Sequence, residues 1–138
     1  IHPSTLETLS QLGLLNKFLK LPHQKVFHLH GSIFGHDVAI ADFSRLPIAT
    51  PYIALVPQWD FLNFIAEEAG VFSNFKLLMG TRATDLIKEQ GTITGIEAVS
   101  SEGNLTISAE LVIAADGRNS LLQQLSDLPL ERLSAPMD

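Results

Sequence analysis

The sequence predicts a domain of the α/β class, and three patterns support this prediction. Apolar residues recur at helical spacing near the start of the chain, alternate with polar residues over residues 25–43, and run without interruption over residues 111–115. A period near 3.6 residues is typical of a helix with one buried face, whereas a period of two is typical of a half-buried strand. A short run that is apolar at every position favours a strand covered on both faces, as in the middle of a parallel sheet.

Composition restricts what the chain can do. Its 138 residues are 46% hydrophobic and 17% charged, which is typical of a folded domain. The formal net charge of -6 repels a phosphate backbone and argues against nucleic acid as a partner. The absence of cysteine excludes disulfides and thiolate metal sites. Because no apolar run approaches the roughly 20 residues of a membrane span and no secretory signal is recognised, we expect a cytoplasmic protein without an integral membrane segment.

Helices are predicted on both sides of Gly13. Ser4 and Glu7 have the spacing of a capping box, which predicts the start of the first helix, and Gly13 suits the position just after its end. A second, shorter helix is expected before Pro22, and its apolar side consists of Leu14, Leu15, Phe18 and Leu19.

The segment VPQWDFLNFIAEEAG predicts a third helix, which Pro57 precedes and Gly70 ends. Trp59 follows the helical spacing, so we expect it in the core. Gln58 lies four residues before Leu62 and therefore on the predicted apolar stripe, where a polar amide needs a partner. The stripe is predicted to consist of Phe61, Leu62, Ile65 and Ala69.

The rest of the chain predicts strands and one short helix. Residues 25–34 and 38–43 are expected to form a hairpin around a turn at Gly35-His36-Asp37. Strands over residues 84–89, 92–100 and 104–108 follow as an antiparallel meander with glycine-containing turns. Beyond the apolar run, Ser120 and Gln123 have capping-box spacing and predict a helix that extends to about Ser126.

The turn after the apolar run has two interpretations. Asp116 and Gly117 follow residues 111–115 directly, and ligands of open parallel sheets bind beyond the carboxyl ends of the strands. Glycine would let a ligand approach the backbone, and the carboxylate would accept hydrogen bonds from ribityl or ribose hydroxyls. Alternatively, both residues only satisfy the backbone of a strand-to-helix turn. The pattern alone leaves both interpretations open.

The run Ala115-Asp116-Gly117-Arg118-Asn119-Ser120 resembles the Asp-Gly motif of the FAD-dependent aromatic hydroxylases, the p-hydroxybenzoate hydroxylase type. IHPSTLETLSQLGLL resembles the helix that follows the family's nucleotide-binding unit, and PQWDFLNFIAEEAG resembles the helix that starts beside the flavin. Residues 77–115 resemble the meander that returns to the central strand. The resemblance therefore implies a partial, Rossmann-like FAD-binding fold, with residues 25–43 in the substrate-side sheet.

The resemblance also implies four cofactor-binding residues and no catalytic one. Asp116 and Gly117 match the motif near the FAD pyrophosphate, and the aspartate is linked in the family to binding of the nicotinamide cofactor. Gln58 matches the residue that contacts FAD from the flavin-side helix, and Ala83 falls where a backbone meets the adenine. In the family, NADH or NADPH reduces FAD and an aromatic or apolar small molecule is hydroxylated or epoxidised. The family's arginine three residues after the motif serine is replaced here by Gln123.

No G-x-G-x-x-G turn occurs in the sequence, so we expect a central piece that lacks the family's N-terminal βαβ unit. By itself such a piece is expected to bind FAD weakly or not at all, to be inactive, and to self-associate through exposed sheet edges. Two other functions stay open. One is a cofactor-free α/β interaction module, and the other is a relative that uses FAD as a reductase or halogenase.

Three histidines on the predicted hairpin, His28, His30 and His36, offer a different kind of site. Three imidazoles can hold zinc or a similar metal. Their register across the hairpin is not specified by the sequence, and Asp37 is the one carboxylate expected beside them. We therefore predict no metal site.

Overall fold

The computed structural model describes residues 1–129, which fall into two compact units that divide after Leu77. The mixed α/β class is confirmed, and the described strand pairs are all antiparallel. A single turn of 3-10 helix, Phe43–Arg45, follows β3. The other elements, in chain order, are α1 (Pro3–Gln11), α2 (Leu15–Phe18), β1 (Gln24–Val26), β2 (His28–Ile33), β3 (His36–Asp42), β4 (Ile53–Leu55), α3 (Gln58–Gly70), β5 (Arg82–Glu89), β6 (Thr92–Ser100), β7 (Gly103–Ser108) and α4 (Leu121–Leu125).

The first unit is held by a core between its helices and the β1–β4 pair. Phe18 is fully buried, and its ring meets that of Phe61 edge-on at 5.8 Å between centroids. Aromatic pairs in this geometry add to the stabilisation from area burial alone. The buried members of this core are Leu6, Leu9, Phe18, Tyr52, Ala54 and Phe64.

The two ends of α1 differ in how well the sequence predicts them. Gly13 has a φ of +72°, and its N–H donates to the carbonyl of Ser10. The N–H of Leu14 reaches the carbonyl of Leu9, so the end of α1 is a Schellman motif and the prediction is confirmed. The predicted capping box is wrong, because the helix already begins at Pro3 and no side chain caps it. Ser4 therefore lies inside the first turn.

The hairpin is confirmed, but its turn and its length differ from the prediction. The turn consists of Phe34 and Gly35, both at positive φ, and His36 already belongs to β3. A two-residue turn of this kind matches the twist of the paired strands. The predicted strand is also divided at Phe27, because the preceding β1 pairs with β4 instead of β3.

The buried face of α3 agrees with the prediction at Phe61 and Ile65, which pack against the core, but it includes Phe64 instead of Leu62. Phe64 is its most buried residue, whereas Leu62 is 56% exposed and Trp59 is 68% exposed. Phe64 lies five positions after Trp59, which places the indole about 140° around the helix from the buried Phe64. The prediction that Trp59 belongs to the core is therefore wrong.

The second unit contains the antiparallel meander, whose three strands are confirmed in the order β5-β6-β7. Gly95 in the central strand lies against the backbone of β7, where an added Cβ would come within 2.2 Å of the Ile107 carbonyl oxygen. A glycine in a strand often marks such a close approach of two backbones. The short α4 contacts β5.

The strand predicted over residues 111–115 is absent from the structure described for residues 1–129. This segment carries no ladder pairing, and Leu111 and Ile113 are 74% and 79% exposed. A strand needs a neighbour to satisfy its backbone N–H and C=O groups, and no described strand lies in register with this segment. The prediction that this strand lies in a parallel sheet is therefore wrong for the described chain.

The helices of the described chain are short. Within residues 1–129, the longest of them, α3, has 13 residues, and no helix is both long and apolar enough to cross a bilayer.

Candidate functional site

The turn at Asp116 and Gly117 connects the exposed apolar segment to α4. One carboxylate oxygen of Asp116 accepts hydrogen bonds from the backbone N–H of Leu121 at 3.0 Å and of Leu122 at 3.5 Å. These N–H groups belong to the first turn of α4, which has no intrahelical acceptor for them. The aspartate therefore satisfies the start of the helix across the turn.

Gly117 gives this turn its shape. Its φ is +88°, a conformation that side-chain-bearing residues rarely adopt, and the position of an absent Cβ has no heavy atom within 4 Å. The backbone of the turn is thus open on that side, so a ligand can approach it closely. Gly117 also accepts a hydrogen bond from the N–H of Ser120 at 3.1 Å.

Ser120 is the N-cap of α4, and its hydroxyl oxygen accepts from the N–H of Gln123 at 3.0 Å. This half of the predicted capping box is confirmed, and the serine is only 7% exposed. The Ser120 hydroxyl is the main cause that holds the pKa of the Asp116 carboxyl below its ordinary value, and the N–H groups of Leu122 and Leu121 act in the same direction. Partial desolvation opposes them. Asp116 is therefore a carboxylate at neutral pH.

A cleft of about 320 Å³ lies beside this turn, within the second unit. Gly117 and Ser120 border it on one side, while Leu86 and Ile93 of the meander border it on another. Val112 and Ala114 also line it, so alternate residues of the apolar segment face the cleft while Leu111 and Ile113 face solvent. The extended alternation expected of a strand is present without the strand pairing.

Gln58 occupies the first position of α3, after Pro57. Its side chain is exposed. The exposed indole of Trp59 follows it, so an amide and an aromatic ring both face outward at this helix start. The sequence prediction missed the exposed Trp59, although its angular distance from Phe64 on a helical wheel indicates an outward position.

Ala83 lies in β5 opposite Ala98 of β6, and it is half-buried. The register shifts between Ala83 and Asp85, so Thr84 forms a bulge. Bulges re-aim side chains and loosen the ladder locally. Ala83 therefore belongs to the second unit with Asp116 and Gly117, whereas Gln58 belongs to the first.

The histidines of the hairpin pair with aspartates instead of with one another. His28 Nε2 lies 3.4 Å from Asp42 Oδ1, and His30 Nδ1 lies 3.0 Å from Asp37 Oδ2. The Ser44 hydroxyl donates to Asp42 and is the main cause that lowers the pKa of this carboxyl. In the described part of the chain, no three side chains of histidine, aspartate or glutamate are grouped as metal ligands.

Comparison with known proteins identifies the family of the chain. A family model described as an FAD binding domain matches residues 1–136. The chain is also 28% identical, over 99 residues, to the 6-methylpretetramide 4-monooxygenase of Streptomyces rimosus. This alignment covers 72% of the chain but 24% of the relative, so the chain spans about a quarter of the relative's length. The resemblance to FAD-dependent monooxygenases of the aromatic hydroxylase type is thereby confirmed, and the chain belongs to the FAD-binding domain family.

Proposed function

We propose that this chain forms the central part of the FAD site of a flavoprotein monooxygenase. The enzyme would use NADH or NADPH and act on an aromatic or apolar small molecule in the cytoplasm, where both reductants are available. The observation that carries the proposal is the Asp-Gly turn, in which Gly117 leaves the backbone open and Asp116 stays ionised. The family match and the activity for which the Streptomyces relative is named support it.

The residues present fit part of the cofactor. At Gly117 the space that a Cβ would occupy is empty, which suits a turn that a ligand approaches along its backbone. At Gln58 an exposed amide has two N–H donors and a carbonyl acceptor to offer. A pyrophosphate and a ribityl chain present the complementary acceptors and hydroxyls.

Each of the four residues has a proposed role in binding. Gln58 would contact the cofactor from the start of α3, and the backbone of Ala83 would meet the adenine. Asp116 and Gly117 would lie near the pyrophosphate, with the carboxylate contributing to binding of the nicotinamide reductant. FAD supplies the redox and oxygen chemistry when it is bound, whereas the protein positions it and excludes water. No residue of this chain is proposed as an acid or base.

We also propose that the apolar segment over residues 111–115 becomes a sheet strand in the complete enzyme. Leu111 and Ile113 expose apolar side chains, and an unpaired strand is stabilised when a neighbour satisfies its backbone groups. A βαβ unit with a G-x-G-x-x-G turn would supply that neighbour and the phosphate-binding helix. The 138-residue chain alone is then expected to bind FAD weakly or not at all, and to be inactive.

The first experiment uses the protein expressed from the complete reading frame that encodes this chain. It should purify with bound FAD and oxidise NADH or NADPH in the presence of oxygen and an aromatic substrate. Asp116→Ala should lower FAD retention or raise the KM for the reductant, whereas Glu102→Ala, an exposed carboxylate at a turn, should change neither. A complete protein that neither contains nor binds FAD would overturn the proposal.

A second experiment uses the chain itself. Trp59 is its single tryptophan and follows Gln58, so its fluorescence reports on FAD at this helix start. Titration with FAD should produce at most a weak, unsaturated change, and gel filtration should remove the flavin. A flavin absorption band that stays with the chain after gel filtration contradicts the expectation of weak binding.

Experiments on the protein from the complete reading frame also distinguish two alternative functions. A reductase or halogenase would also bind FAD, but product analysis with oxygen supplied would show no oxygen atom transferred to the substrate. A cofactor-free interaction module would show no flavin and no NADH or NADPH oxidation. The match of the chain to an FAD binding domain favours the flavoprotein over both the cofactor-free module and a purely structural turn.

A further inference from the structure

One edge of the meander is open to pairing. β7 runs beside β6 over six consecutive pairs, from Gly95↔Ser108 to Ser100↔Gly103, without a register shift. Its outer side has no partner strand among residues 1–129, and all its residues except Ile107 are exposed. Residues 103–109 contain neither a charge nor a proline. A regular, uncharged edge of this kind is a ready template for another strand.

The opposite edge of the same sheet is protected. β5 has register shifts at two places, after Ala83 and after Ile87. It also carries four charged residues and contacts α4. Bulges and charges are usual devices that prevent edge-to-edge pairing. Their presence on β5 and their absence on β7 single out β7 as the edge that is available to a partner. The four charges belong to Arg82, Asp85, Lys88 and Glu89.

Two apolar side chains of β7 also lie at the edge of an apolar face of the sheet. Leu105 lies opposite Ala98, and Ile107 lies opposite Ile96, so all four project from one face of the sheet. Ala98 is 2% exposed, whereas Leu105 at the edge is 36% exposed. A further strand beside β7 would continue this face and cover Leu105.

We propose that β7 pairs antiparallel with β7 of a second copy of this chain, with the two Leu105 residues directly opposite each other. A two-fold axis perpendicular to the sheet brings both Leu105 side chains to the same face, where they contact each other. The register follows from the charges that flank the strand. Centred on Thr106, the pair would oppose Glu102 to Glu110, and like charges opposite each other are destabilising. Centred on Leu105, Glu102 faces Ser108 and Asn104 faces Thr106.

The proposed register has a direct test in two matched double variants. Asn104→Lys with Thr106→Lys places lysine opposite lysine twice, whereas Asn104→Lys with Thr106→Glu places lysine opposite glutamate twice. Both positions are exposed. By sedimentation velocity we expect a dimer for the unmodified chain, a Kd on the order of tenfold higher for the lysine–lysine variant, and no loss for the lysine–glutamate variant. Circular dichroism confirms that each variant is folded.

A cross-link tests the same contact independently. The chain has no cysteine, so Leu105→Cys introduces a single thiol that the register places opposite its copy. Opposite residues of an antiparallel pair lie within disulfide range, and mild oxidation should yield a covalent dimer. Thr92→Cys, exposed at the far end of β6, should yield far less. An unmodified chain that is strictly monomeric, or a dimer that is unaffected by the lysine–lysine variant, overturns the proposal.

Discussion

Gly95→Ala tests how closely the central strand approaches β7. The added Cβ would lie 2.2 Å from the Ile107 carbonyl oxygen and 3.0 Å from the Ser108 Cα. Ordinary contact begins at 3.4 Å, so the Cβ and the carbonyl oxygen would approach about 1.2 Å too closely unless one of the two backbones shifts. Both opposing atoms belong to the backbone, and no flexible side chain can move aside.

The cost follows from the ladder that this displacement disturbs. Strands lie about 4.8 Å apart, and a backbone shift on the order of 1 Å takes the hydrogen bonds on either side of Gly95 out of their normal geometry, so we expect two or three of them to be lost. At about 1 kcal/mol for each bond, together with strain, we expect a loss of about 3 kcal/mol. The midpoint of thermal unfolding should fall by roughly 10 °C.

The control is Gly70→Ala at the end of α3. A Cβ added at this glycine would have no atom within 4 Å, and the φ of Gly70 is not in the left-handed region, so alanine should leave stability unchanged or raise it by up to about 1 kcal/mol. Urea unfolding followed by circular dichroism measures both variants. If Gly95→Ala is as stable as Gly70→Ala, the close approach of the two backbones is refuted.

Three further predictions concern the core, a helix cap and a pH dependence. Phe18→Ala should lower the free energy of unfolding by about 3–5 kcal/mol, because it removes a fully buried ring that packs against Phe61. Urea unfolding measures the loss, and a loss below about 1 kcal/mol would contradict the assigned core. Ser120→Ala should cost about 1 kcal/mol because it removes the N-cap of α4, whereas Ser4→Ala, inside the first turn of α1, should cost much less; equal losses would argue against the cap. The pKa of Asp116 is lower in the folded chain, so its contribution to stability is present above its ordinary pKa of 3.8 and is lost as the pH falls through the folded value. The stability difference between the unmodified chain and Asp116→Asn should therefore be constant near neutral pH and shrink in acid, and a difference that grows in acid would reverse the assigned sign.

Local patterns predicted most of the secondary structure. The end of α1 depends on Gly13 alone, because glycine adopts positive φ without a steric penalty. The cap of α4 depends on Ser120 and the N–H three residues later, which are fixed by sequence spacing. The meander strands follow from short turns between alternating runs, and each pairs with its neighbour in the chain. In these cases the interacting groups are close in sequence.

The errors arise mainly where the partner is distant in sequence. The division at Phe27 depends on β4, which lies far along the chain. The outward position of Trp59 depends on which face of α3 the other core residues cover. Ser4 is a different case, because it has the residue type of a cap but the chain enters the helix earlier, at Pro3.

At the candidate site, too, some features follow from neighbouring residues and others depend on the tertiary structure. The residue types at Asp116 and Gly117 indicate a turn that either caps a helix or receives a ligand, and the sequence alone does not separate the two. The structure shows that Asp116 accepts a hydrogen bond from the first turn of α4, which confirms the structural role, whereas the ligand-binding role of Asp116 and Gly117 stays a prediction. The sequence pattern predicts Gln58 on a buried stripe, but its amide is exposed.

Interactions between residues that are close in sequence therefore account for the class of the fold, the meander, the hairpin, the end of α1 and the start of α4. The conformation of residues 111–115 depends on the tertiary structure. Their apolar run predicts a buried strand, but the segment lies unpaired in the described chain. The physical reason is that apolar side chains favour burial wherever a surface is available, whereas strand formation also requires a neighbouring backbone in register. Whether such a neighbour exists depends on the assembled sheet and cannot be predicted from the five residues of the segment.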